Sequence, residues 1–104
     1  MTTFDDREKG FENMFAHDEE LRFRTEARRN KLLGLWAAGL MGKSADDAAV
    51  YAREVVAADF EEAGDDDVFR KIAADLGARA DATTIRVKMS ELMAEAKHQM
   101  MNET

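Results

Sequence analysis

The sequence contains no cysteine and no proline. Without cysteine there is no disulfide scaffold and no thiol chemistry. Without proline, no residue removes an amide donor from a helix interior. Positive charge is also in short supply: 15 Lys and Arg stand against 22 Asp and Glu, a net charge of -7. No basic field offsets the acids, which argues against a general nucleic-acid binder. No apolar run reaches the roughly 18 residues a membrane span needs. The N-terminus, MTTFDDR, lacks a basic start followed by an apolar run and does not read as a signal peptide. An intracellular protein is the simplest expectation.

What is present suits one small helical domain. The 104 residues match a single domain, and 45% of them are apolar, enough for a core. Ala, Glu, Leu, Met, Lys and Arg are abundant, and all favour helix. Apolar residues recur at a period near 3.6, with no sustained alternation of period 2. The expected fold is all-α: a small four-helix bundle over residues 18–104, with helices near 18–41, 45–62, 67–76 and 83–101, preceded by a flexible N-terminal arm over residues 1–17.

The arm differs from the rest of the chain. Phe4, Phe11 and Phe15 recur at helical spacing and, with Met14, give a narrow apolar stripe. They sit among Asp5, Asp6, Arg7, Glu8, Lys9 and Glu12. Gly10 costs about 1 kcal/mol of helix relative to Ala. A frayed segment that folds on a partner is expected, with its aromatic rings as anchors.

The first long helix opens on Asp18, Glu19 and Glu20, acids at the positive end of its dipole. Its apolar side is Leu21, Leu32, Leu35, Trp36 and Leu40. That side is thin between Leu21 and Leu32, so the helix, about 36 Å long, is expected to project from the core before entering it. Gly42 suits a C-terminal stop and Ser44 an N-cap. The second helix is expected to bury Ala48, Ala49, Ala52, Val55, Val56 and Phe60. Asp65, Asp66 and Asp67 supply the next cap, before Val68, Phe69, Ile72, Ala73 and Leu76. Gly77 ends that helix, and Asp81 or Thr83 starts the last one. Its stripe is Ala82, Ile85, Met89, Leu92, Met93, Ala96 and Met100.

No catalytic constellation emerges. Gly42-Lys43-Ser44 resembles the tail of a phosphate loop, but Ala37 stands where the first Gly belongs and a helix leads in instead of a strand. Glu95 and His98 have the spacing of one half of a di-iron site, yet the matching pair is missing. The aspartates at 65–67 lack the Gly and Glu of a calcium loop. No metal site, cofactor site or catalytic residue is therefore assigned. The basic cluster Arg22, Arg24, Arg28, Arg29 and Lys31 reads equally as a solvated face laced with Glu19, Glu20 and Glu26 or as a surface for an acidic partner. The neighbouring aromatics favour binding: five of the eight lie within Phe4 to Trp36.

The stretch FDDREKGFENMFAHDEELRF, from Phe4 to Phe23, followed by EARRNKLLGLWAA, from Glu26 to Ala38, closely resembles the zeta subunit family of alphaproteobacteria. That family is the small inhibitor of the F1Fo-ATP synthase. The resemblance covers essentially the whole chain. It implies a protein inhibitor whose arm becomes helical and wedges between an alpha and a beta subunit of the F1 head, blocking rotation in the hydrolysis direction. The gamma subunit is a further implied contact. No enzyme activity, nucleic acid or membrane insertion is implied. The implied location is cytoplasmic, held at the inner membrane through the F1 head. Carried onto this sequence, the partner-binding residues are Phe4, Arg7, Glu8, Lys9, Phe11, Glu12, Met14, Phe15 and His17 of the arm. Arg22, Arg24 and Arg28 of the following helix extend the set. His17 borders the arm, where its charge can couple to binding, although a passive surface histidine is the simpler account. The alternatives are a helical regulatory adaptor and a small nucleotide-binding protein.

Charge divides unevenly along the chain. Residues 1–31 hold seven basic and eight acidic side chains, a net of -1, and the remainder holds eight and fourteen, a net of -6. The acidity belongs chiefly to the expected bundle, leaving the aromatic arm nearly neutral.

Overall fold

The computed structural model describes residues 3–59 and 65–103, with side chains from residue 8 onward in the first helix. Among the described residues there are five α-helices, where the sequence suggested four and an arm: α1 (Thr3–His17), α2 (Glu19–Leu40), α3 (Ala45–Ala58), α4 (Asp66–Leu76) and α5 (Ala82–Glu103). A short 3-10 turn, Gly77–Arg79, joins α4 to α5. The helices α2 to α5 fall on the four expected from periodicity. The fifth, α1, occupies the segment expected to be an arm. Residues 60–62, placed at the end of the second helix with Phe60 in the core, lie outside the described residues.

Local chemistry explains the joints. A single extended residue, Asp18, separates α1 from α2, and its carboxylate accepts the Leu21 amide at 3.0 Å. Gly42 adopts a φ of +74°, the left-handed conformation that favours glycine after a helix. Ser44 caps α3, with its hydroxyl accepting the Asp47 amide at 3.2 Å. Asp81 caps α5 by accepting the Thr84 amide at 2.8 Å. At α4 the expectation fails: Asp65 makes no capping bond, because its carboxylate is engaged by Arg29. Asp67, read as a soluble cap residue, has its side chain only 7% exposed and pairs with Arg70.

The main core joins Leu33, Ala37, Tyr51, Val55, Val68, Ile72, Leu76, Ile85 and Met89, with Trp36 packed at its edge. Here α2 and α3 approach closely. A Cβ built on Gly34 would stand 2.7 Å from the Ala52 Cα, so glycine and alanine set the spacing of these helices. A second, smaller cluster lies at the other end of the molecule: Phe11 of α1, Leu21 of α2, and Met100 and Met101 of α5, with Phe15 against it.

The middle of α2 corrects the expected projection. Thr25, Arg29 and Asn30 are buried there, so one side of the helix faces inward along this stretch through its own polar side chains. The buried stripe advances by four residues through Leu21, Thr25, Arg29, Leu33 and Ala37. Leu35 and Leu40 fall off that stripe and are 38% and 44% exposed, contrary to the apolar side read from sequence.

Candidate partner-binding site

The helix α1 is amphipathic because Phe11 and Phe15 are one helical turn apart. Their rings stack with centroids 6.4 Å apart. Phe11 is 4% exposed, with Leu21, Met100 and Met101 around it. Phe15 is half-buried, and the Lys97 ammonium sits 4.4 Å from its ring centroid. The same ammonium lies 3.5 Å from the Glu12 carboxylate. One lysine of α5 therefore meets both an acid and an aromatic ring of α1.

The remaining expected site residues lie elsewhere on these two helices. Glu8, Lys9, Glu12, Met14 and His17 are exposed on α1. The side chains of Phe4 and Arg7 lie outside the described residues. Arg22 and Arg24 are exposed on α2. Arg28 is half-buried and donates to the Glu103 carboxylate and, at 3.5 Å, to the Gln99 amide oxygen. That hydrogen bond holds the Glu103 carboxyl below its ordinary range. Among the described residues, the expected site thus gathers along α1 and the first half of α2, with Phe11 buried, Phe15 half-buried and most of its charges facing solvent.

A cleft of about 560 Å³ opens beside α1, lined by Phe11, Glu12, Arg29, Arg86, Met93 and Lys97 among others. At its base Arg29 is 2% exposed. Its Nε donates to Asn30 Oδ1 at 2.7 Å and its Nη2 to Asp65 Oδ1 at 2.8 Å. The Asp65 carboxyl is held low chiefly by that hydrogen bond. Burial pushes Glu26 and Asp59 up, while the Arg29 charge pulls both the other way. Arg29 therefore pairs directly with Asp65, and its charge opposes the effect of burial on Glu26 and Asp59.

Sequence reasoning missed the α5 half of this region. Met100, which belongs to the expected stripe, is joined there by Lys97 and Met101, which the sequence reading assigned to no site. The signal was faint: two consecutive methionines at the end of a helix whose stripe needed only one. Arg29 was grouped with a basic cluster read equally as a solvated face or a partner surface, since nothing local distinguishes a buried arginine from its neighbour Arg28.

The arrangement holds titratable groups in ion pairs and rings in an apolar seat. It defines a small all-helical protein whose N-terminal helix packs in a cluster of its own. The chain belongs to the family described as ATPase inhibitor subunit zeta, whose sequence model matches residues 1–99. A solved structure determined in solution by NMR is 54% identical, covering 81% of this chain and 99% of that one, with a TM-score of 0.75. No curated protein sequence matches. Among the described residues, no helix is long and apolar enough to cross a membrane.

Proposed function

We propose that this chain inhibits ATP hydrolysis by the F1-ATPase, with residues 2–17 inserting as a helix at an alpha/beta catalytic interface. Membership of the inhibitor family supports the target. The observation that carries the mechanism is the construction of α1: an amphipathic helix joined to α2 through Asp18 alone and packed in a cluster separate from the main core. Such a helix can leave the bundle without opening the core. Phe4, Phe11, Met14 and Phe15 then fill apolar pockets of the target, and Arg7, Glu8, Lys9 and Glu12 set register through ion pairs. His17, Arg22, Arg24 and Arg28 extend the contact along α2. The remaining helices hold the arm in place and resist being drawn in after it. On this reading the protein is a regulator without catalytic activity, and it sits in the cytoplasm at the inner membrane by way of the F1 head.

Site-specific cross-linking tests the placement. A photoreactive side chain at Met14, which is exposed on α1, is expected to capture the alpha or beta subunit when F1 is hydrolysing ATP. Capture of neither subunit, from a protein that still co-purifies with F1, would move the contact elsewhere on the chain.

A further inference from the structure

Two of the rings assigned above to the target, Phe11 and Phe15, already pack within this chain. Phe11 has little surface left, closed off by Leu21, Met100 and Met101. Lys97 meets Glu12 and the Phe15 ring at once. Seated on α5, α1 presents Met14 outward but not Phe11. Phe11 cannot fill its own seat and a pocket of another protein together. We infer that the C-terminal turns of α5 are an autoinhibitory latch: Lys97, Met100 and Met101 seat the inhibitory helix, and inhibition requires its release. This inference rests on the proposed role of α1 as the inhibitory element.

The construction of α1 suits reversible release. The seat has one deeply buried ring and a second only half-buried, and a cleft of about 560 Å³ stands open beside it. The Glu12–Lys97 pair keeps solvent contact on both sides, with side chains 50% and 27% exposed, so it adds selectivity more than strength. Gly10 lies in the middle of α1 with open space around it and weakens the helix. The hinge is one residue, Asp18, whose capping bond to Leu21 belongs to α2 and survives undocking. Seat and target compete for one face, so the apparent affinity for the target falls by the fraction of molecules whose α1 is free.

The latch is tested with two variants on α5, outside the surface that meets the target. Lys97→Glu places an acid beside Glu12 and removes the cation from the Phe15 ring. Met101→Ala strips the seat of a buried side chain. Amide hydrogen exchange by NMR reads the seat without any ATPase. Exchange across Glu8 to His17 is expected to accelerate about tenfold or more in Met101→Ala, while amides of Leu33, Ile72 and Ile85 keep their protection. In parallel, the concentration giving half-inhibition of F1 is expected to fall, by no more than the factor by which the seat is weakened. The double variant Glu12→Lys with Lys97→Glu is expected to restore slow exchange. Unchanged exchange in both single variants would show that the seat does not hold α1. Accelerated exchange with unchanged or weaker inhibition would show that the seat does not oppose binding. Normal exchange behaviour with no inhibition by wild type or variants would overturn the inhibitory reading itself, and the latch's role with it.

Discussion

Replacing Arg29 by methionine tests whether a single buried charge holds the α3–α4 end of the molecule to α2. Methionine keeps much of the stem's volume but removes the guanidinium, and with it the bonds to Asn30 and Asp65 at 2.7 and 2.8 Å. Hydrogen bonds to charged groups contribute about 1.5–3 kcal/mol each. The Asp65 side chain is 48% exposed, so water recovers part of what it loses. Asn30 is fully buried and recovers nothing from solvent. The expected loss is about 1–3 kcal/mol, or a fall in Tm of about 4–8 °C for each kcal/mol. Urea denaturation near neutrality measures it.

The pH dependence sharpens this test. Asp65 is held below its ordinary pKa in the folded protein. Its contribution is therefore full above the unfolded value, near pH 3.9, and fades as pH falls through the folded value. Glu26 and Asp59 are raised by burial, with Arg29 opposing the rise. Without Arg29 both rise further, and protonating them then favours the folded variant as pH falls. Both effects narrow the gap between wild type and variant on acidification. A variant as stable as wild type near neutrality, or a gap that does not shrink toward about pH 4, would refute this account of Arg29.

Three further outcomes follow from the packing. Gly34→Ala gains helix propensity but drives a Cβ into the Ala52 backbone at 2.7 Å; a net loss of about 1–3 kcal/mol is expected by thermal melting. Ser44→Ala removes the α3 cap and is expected to cost about 1 kcal/mol in the same assay. Replacing Phe11 and Phe15 together by alanine is expected to weaken inhibition of F1, with amide protection of the main-core helices unchanged, since both rings lie in the separate cluster.

The sequence made legible whatever is decided within a few residues. Ser44, Gly42 and Asp81 announce helix ends through their own chemistry, and each stands where that chemistry placed it. The apolar stripes of α4 and α5 were legible for the same reason. Burial of polar groups was not. Thr25, Arg29 and Asn30 carry the α2 interface, yet pattern reading assigns polar residues to solvent. Their burial depends on partners far along the chain: Arg29 needs Asp65, and Asp65 gives up its capping role to serve it. The seat of α1 was hidden similarly. The arm's stripe of rings was visible, but an amphipathic helix does not specify which surface will cover it. Here Met100, Met101 and Lys97 do so from the opposite end of the sequence.

The central claim is that the N-terminal helix of this chain stops ATP hydrolysis by F1. Its most direct test is the hydrolysis rate of purified F1 titrated with the full chain and with a chain lacking residues 1–17. The full chain is expected to inhibit to saturation, and the shortened one to remain folded and leave the rate unchanged. Full inhibition by the shortened chain would contradict the account.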